Sequence, residues 1–385
     1  MKPPKAEQIA GLETYLSKSK GIGGAIKGEP EDFLVEEITP RGNILEIDKV
    51  YGDDLEGEGE YTVFTLQKTN WDTLRAVKEL SKRCGVSRKR IKFSGTKDRR
   101  AITTMRVSAW KVPVEKLKQV NIKDIELRDF SYSDEPVNLG TLKGNRFTLQ
   151  ISGVGKSADK TVKKLIKELR GKSPNFFGLQ RFGSRLNTHL VGKALLKGQF
   201  KEAVEHYLCD TGNEPEAATA ARDDLRKTGD YKTALKEFPN YLGFEKSILN
   251  HLINTPTDYI GAMRKLPKKL RWMFVHAYQG YLFNLALSEY IKAGKAPDEL
   301  PLVGYESEVD KATAAIMKKE GINKEEFKVS AMPELSSRGE TRQCFIEFED
   351  FEILDFNEKA ANIRLRFSLP AGSYATVLLR ELMKD

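Results

Sequence analysis

Strand-like alternation occupies both ends of this chain and gives way to helical periodicity in the middle, and that order limits the folds open to it. Near the start, DFLVEEI, NILEIDKV and EYTVFTLQKT read as three strands, separated by Pro40-Arg41-Gly42 and by the acidic loop GDDLEGEGE. TNWDTLRAVKELSKRCGV places Trp71, Leu74, Val77 and Leu80 on one face, which predicts an amphipathic helix behind a Thr69/Asn70 cap. RIKFSGTKD reads as a short strand entering a turn, and TTMRVSAW and GNRFTLQISG as further strands. From about Ser157 the texture becomes helical and rich in lysine: ADKTVKKLIKELRG, HLVGKALLKGQFKEAVEHYL, AARDDLRKTGDYKTALKEF and LRWMFVHAYQGYLFNLALSEYIKAG. TRQCFIEFEDF and NIRLRFSLP return to strand texture, and SYATVLLRELMKD closes with a helix for which Ser373 is the expected cap. The 385 residues exceed the usual size of one core, so two domains are expected. The order predicts an α/β (α+β) domain with a mixed sheet drawn from both chain ends, interrupted by a mostly helical domain. The expected boundaries are 1–172 and 343–385 for the first domain and 173–342 for the insert.

Charge narrows the partners. Lys and Arg number 64 against 55 Asp and Glu, a net +9 that favours a polyanion, although placement has to decide the matter. From Ser81 to Arg100 there are nine Lys or Arg, interleaved with Val86, Ile91 and Phe93, and a single acid, Asp98. A second cluster, RKLPKKLRW from Arg264 to Trp272, holds five cations and no acid. Two dense patches in an otherwise balanced chain suit the tracking of phosphates. The three cysteines are far apart and show no CxxC spacing, so they read as reduced, buried thiols. The four histidines show no ligand spacing, and structural or surface roles are expected of them. No Walker motif, GxSxG or carboxylate-rich metal set occurs, and GIGGAIKGEPEDF is not a dinucleotide-binding fingerprint, so no cofactor and no metal are expected. No stretch approaches the apolar length of a membrane span, so a soluble, cytoplasmic protein without a membrane partner is expected.

Asp98 admits two readings. On SGTKDRR it sits at a glycine-bearing turn, where a short carboxylate often does no more than cap the next segment. Alternatively it is a nucleophilic or acid-base carboxylate held ionised by Lys97, Arg99 or Arg100. A carboxylate in a groove that binds phosphates repels them, so its presence there favours a chemical role.

SGTKDRRAITTMRV resembles the motif GxKDxxAxTxQ of the TruD family of pseudouridine synthases. PNFFGLQRFG (174–183) resembles that family's NxFGxQRFG signature. LPAGSYATVLLREL (369–382) resembles its C-terminal signature, PEDFLVEEI its N-terminal strand, and GNRF (144–147) its pocket motif. These stretches span nearly the whole chain in the family's order. One departure is Met105, where the family pattern often has Gln, and the helical insert is long against the shortest members. The resemblance implies a mixed-sheet pseudouridine synthase domain with an inserted TRUD domain, and a cofactor-free isomerase acting on uridine in tRNA, with position 13 as the family's usual target. It places Asp98 as the catalytic aspartate and Phe147 as the aromatic platform. It places Phe33, Asn145 and Tyr374 in the uridine pocket, with Lys27 beside it. Lys97, Arg99, Arg181, Lys268 and Lys269 are expected to contact RNA, and a monomer is expected. Each pocket residue also has a plainer reading: Phe33 and Phe147 as core, Asn145 as a turn residue, Tyr374 as the first turn of a helix. Two rival functions remain, a non-catalytic RNA-binding or chaperone protein in which Asp98 is only a turn residue, and a base-excising glycosidase. The glycosidase would want a second carboxylate poised for water.

Overall fold

In the computed structural model, which describes residues 1–26 and 28–384, the chain divides into two compact units. The unit made of Ser17–Ser173 and Ile346–Asp385 is built on a nine-stranded sheet. Its strands are β1 (Ala25–Ile26), β2 (Phe33–Ile38), β3 (Tyr61–Thr69), β4 (Ile91–Phe93), β5 (Ile102–Trp110), β6 (Ile125–Ser133), β7 (Gly144–Ser152), β8 (Glu349–Asn357) and β9 (Asn362–Pro370). The order is β8-β9-β7-β2-β5-β3-β6, with β1 added beside β7 and β4 beside β5. Only β2 and β5 run parallel; the other pairs are antiparallel, so the sheet is mixed, as the strand pattern of both chain ends predicts.

Register fixes which side chains share a face, because residues directly opposite each other project the same way. Phe33 faces Leu149, Val35 faces Phe147 and Glu37 faces Asn145 across β2 and β7; Phe367 of β9 faces Phe147 from the other side. One face of the sheet thus presents Phe33, Val35, Glu37, Asn145, Phe147 and Phe367 together. Over β3 and β5, α1 (Thr73–Arg83) packs its Val77 and Leu80 into a cluster with Phe64, Leu66, Met105, Val107 and Phe130. The apolar burial of these fully enclosed side chains stabilises the unit by about 1.5–3 kcal/mol each. Met105 lies wholly inside this cluster, which suits its thioether better than an amide.

The structure corrects several local expectations. The helix begins one turn later than its apparent cap: Asp72, not Thr69 or Asn70, accepts the Arg75 N–H at 2.9 Å, and Asn70 has a positive φ of 57°. The buried face is accordingly Thr73, Ala76, Val77, Leu80 and Ser81, the i, i+3, i+4, i+7, i+8 set, and Leu74 is exposed. NILEIDKV forms no strand; only Ile44 makes an isolated bridge to Ile38, while Leu45 is buried and its carbonyl accepts the Thr104 hydroxyl at 2.5 Å. Ser373 does not cap the closing helix α3 (Ala375–Met383), whose N-cap position is Tyr374, without a side-chain cap.

The second unit is formed by Met1–Leu16 with Pro174–Phe345. The first sixteen residues, expected with the sheet, cluster with the helices instead: Ala10 and Leu12 are buried, and the Asn284 amide donates to the Ala10 carbonyl at 2.9 Å. The long helix Lys268–Ala293 forms the spine and packs against Thr188–Leu196, where Gly192 brings the backbones together: a Cβ there would meet the Phe274 carbonyl oxygen at 2.0 Å. HLVGKALLKGQFKEAVEHYL is two helices, not one, broken at Gly198 with φ of 70° before Phe200–Cys209. His189 is buried between Phe182 and Tyr281, and desolvation drives its pKa down to about 4. All three cysteines are free and buried. Among the described residues no helix is long and apolar enough to cross a membrane, and no three His, Cys, Asp or Glu side chains converge as a metal site.

Candidate active site

After β4 the chain leaves the sheet at Ser94 and runs through Gly95–Arg100 without regular structure before entering β5. Such a segment needs other partners for its backbone groups. They come from residues far away in sequence. The Thr73 hydroxyl accepts the Lys97 N–H at 3.0 Å and donates to the Lys97 carbonyl at 3.2 Å. The Lys68 ammonium donates to the Asp98 carbonyl at 2.7 Å. The Lys97 side chain turns inward, its ammonium 2.9 Å from Glu37 Oε2 and donating to Asn145 Oδ1 at 2.6 Å. Glu37 in turn accepts the Ser94 hydroxyl at 2.5 Å and the Arg106 backbone N–H at 3.2 Å.

Glu37 is completely buried and the Lys97 side chain is 3% exposed, so this is a desolvated ion pair. Such a pair holds only when hydrogen bonds satisfy its remaining lone pairs and protons. Ser94, Arg106 and Asn145 supply them. Burial still pulls the Lys97 pKa below its ordinary value, with Glu37 acting in the opposite direction. The arrangement leaves the Asp98 side chain exposed on a turn whose backbone is tied down on either side.

The aromatic residues form a packed row. Phe33 meets Phe147 edge-on at 6.3 Å between ring centres, and Phe147 stacks on Phe367 at 5.7 Å. Phe147 is 5% exposed, so one side of its ring is engaged within the unit. Phe147→Ala is therefore expected to lower the unfolding free energy by roughly 3–5 kcal/mol, the range for a buried Phe truncation. Urea denaturation measures this, and a loss below about 1 kcal/mol would mean that the ring is a surface platform and contributes little to the core. Tyr374 is half-buried at the start of α3. Lys27 lies outside the described residues.

The basic residues separate into free and engaged groups. Arg99 and Arg100 are exposed, whereas Lys97, expected to contact RNA, is buried with its charge matched by Glu37. On α1, Lys82 and Arg83 pair with Glu79 at 3.6 and 3.3 Å, and Arg90 donates to the Trp110 and Lys111 carbonyls. In the helical unit Arg181 is half-buried over the Phe177 ring. Arg264 and Arg271 both bond Glu334, an acid supplied from far along the chain, and only Lys265, Lys268 and Lys269 of that cluster stay exposed. Glu37, Lys68, Thr73 and Ser94 are contributors that the sequence reading did not single out. Two adjacent glutamates in one strand were the available signal, since one of them has to face inward.

A family profile described as tRNA pseudouridine synthase D (TruD) matches residues 9–300 and 289–382. The chain belongs to the TruD family of tRNA pseudouridine synthases. Curated relatives span the same length. A protein of Methanosarcina acetivorans named probable tRNA pseudouridine synthase D is 35% identical, covering 100% of this chain and 98% of its own. One of Thermococcus onnurineus, named likewise, is 37% identical, with 96% and 97% covered. A crystal structure from Methanosarcina mazei bearing the TruD name superposes with a TM-score of 0.83 at 34% identity, covering 100% of this chain and 99% of that one. Membership of the TruD family makes the chain an isomerase of the pseudouridine-forming class, and the mixed α/β fold agrees with that structure.

Proposed function

We propose that this chain isomerises uridine to pseudouridine in tRNA, at position 13, with the Asp98 carboxylate as the nucleophile acting on a base flipped out of its stack. What supports this most is the Asp98 turn itself: the carboxylate is exposed, while Lys68, Thr73 and the Lys97–Glu37–Asn145 network hold the backbone around it. A turn residue with only a capping duty would not require five distant side chains to fix its neighbours.

The chemistry asks for such a group. The N1–C1′ bond breaks, the base rotates, C5 joins C1′, the C5 proton leaves and N1 gains one. No oxidation state changes, so no redox partner is required. A fixed carboxylate can capture the electron-poor carbon, and its prior positioning removes an entropic part of the barrier. Extracting the base from the RNA costs a few kcal/mol, which contacts to the flanking phosphates must offset. A base-excising reaction would need a second carboxylate to activate water. Glu37 shares the network but is buried in its ion pair, which suits a support and not a base for water.

The reading is tested by incubating the protein with a tRNA transcript and mapping pseudouridine with carbodiimide. Modification at position 13, absent from a transcript carrying C13, is the expected result; release of free uracil, or binding without modification, would reject it. The exposed cations carry a further expectation. Log affinity for tRNA should fall linearly with log salt, by roughly 0.7 to 0.9 for each phosphate contact. Neutralising Lys268 and Lys269 should reduce that slope without moving the modified nucleotide, and a flat salt response would remove both patches from the RNA-binding surface.

A further inference from the structure

We propose that Lys68 is a positioning residue for the reaction, a buried cation whose counter-charge is the Asp98 carboxylate. The inference rests on the reading of Asp98 as nucleophile. Lys68 lies on β3 directly opposite Thr103 of β5, and both side chains are fully buried. Lysine is almost never fully buried unless paired. Lys97 obeys that rule through Glu37 at 2.9 Å. For Lys68 the one hydrogen bond recorded among the described residues is to a neutral group, the Asp98 carbonyl, and no described carboxylate reaches it as an ion pair. The charged groups that act on it are Asp98 first, then Asp72, with Lys97 opposing.

Two of those three are already engaged. Lys97 is matched by Glu37, and Asp72 accepts the Arg75 N–H at the start of α1. The unmatched charges are the Lys68 ammonium and the Asp98 carboxylate. The Thr103 hydroxyl beside Lys68 has no hydrogen-bond partner either, so this pocket is not a closed polar network of the kind that holds Lys97.

A cation in that place does two things. Its hydrogen bond to the Asp98 carbonyl fixes the backbone, so that the side chain points away from the core. Its charge also acts when RNA covers the turn. Loss of water would then push the carboxylate toward its protonated, unreactive form, and a fixed positive charge behind it opposes that shift. Burial holds the Lys68 pKa down at about 8, so its charge is lost as the medium becomes alkaline.

The test uses the full chain and a tRNA transcript. Lys68→Met keeps the apolar stem and removes the charge and the donor. We expect kcat to fall about 100-fold, the scale of a misplaced reacting group, with KM for tRNA nearly unchanged. The melting temperature should not fall, because a buried charge without a close partner has been removed. In the unsubstituted protein kcat should decline above about pH 8, and that limb should be missing from the variant. A second measurement does not depend on the variant folding: nitrogen-detected NMR titration of the Lys68 ammonium in the unsubstituted protein and in Asp98→Asn. Removing the Asp98 charge should lower the Lys68 pKa by about half a unit or more. An unchanged Lys68 pKa, or Lys68→Met with normal kcat and pH profile, overturns the proposal. An active Asp98→Asn enzyme overturns the reading beneath it instead.

Discussion

Asp98→Asn is expected to abolish detectable pseudouridine while leaving thermal stability and tRNA affinity undiminished. The amide keeps the size of the side chain, and the backbone bonds that fix the turn come from the Lys97 N–H and the Lys97 and Asp98 carbonyls, none of which the substitution touches. Since the Asp98 side chain is exposed, the fold has little to lose. Its chemistry has much to lose, because an amide lacks the charge and the lone-pair reactivity to capture an electron-poor carbon. Removal of one negative charge from a surface that meets phosphates should hold or slightly raise affinity. Carbodiimide mapping, a melting curve and a filter-binding assay on one preparation suffice. Activity within about tenfold of the unsubstituted protein, a change of only ~1.4 kcal/mol in barrier, would end the nucleophile reading.

The second large effect is expected from Lys97→Met, and it differs in kind. Here the fold itself should weaken. Removing one partner of a buried pair leaves the other charge uncompensated, which costs about 3–5 kcal/mol. Glu37 would keep only the Ser94 hydroxyl and the Arg106 N–H, and Asn145 would lose its charged donor. Turnover should fall with stability, because the residue before Asp98 would lose its side-chain anchor. Adding Glu37→Gln to Lys97→Met should restore at least about 2 kcal/mol, since the orphaned charge is then gone, and a double-mutant cycle in urea measures the coupling. A single-variant cost below about 1 kcal/mol would show that the pair does not hold the turn.

The sheet was legible in the sequence wherever its strands alternate: β2, β3, β5, β7 and β9 all follow the period of two. NILEIDKV misled because Ile44, Leu45 and Ile47 imitate a strand, yet the segment finds no neighbouring strand beyond one bridge. β6 escaped notice for the opposite reason. Its Glu126, Arg128 and Asp129 read as loop, but Arg128 is buried under bonds to the Lys49 and Glu46 carbonyls and Gln67, and Asp129 takes a positive φ of 56° where the register with β3 shifts. Asp98 stood out as one acid among cations. Its supports did not, because Glu37 and Lys68 are charged residues in strands, and charge in a strand ordinarily signals the solvent face. Only tertiary pairing tells which charged residue points inward. The same blindness applied to the cationic runs, where sequence counts charges but not the acids, Glu79 and Glu334, that neutralise several of them.

The groups that shape the Asp98 turn lie 24, 30, 48 and 57 residues from the atoms they hold. A phosphate-binding loop at a helix start is largely local and can take form early; this one cannot. Its geometry exists only after β2, β3, β7 and α1 have all docked, so a partly assembled chain carries the aspartate without the constellation that aims it. For the same reason the turn has no inexpensive way to open by itself. Releasing it means breaking a buried ion pair and undoing contacts between four elements, which brings its local opening free energy close to that of the whole sheet unit. An irregular, solvent-edged segment of this kind would ordinarily be among the first parts of a protein to fluctuate; here it is bound into the same cooperative unit as the strands beneath it.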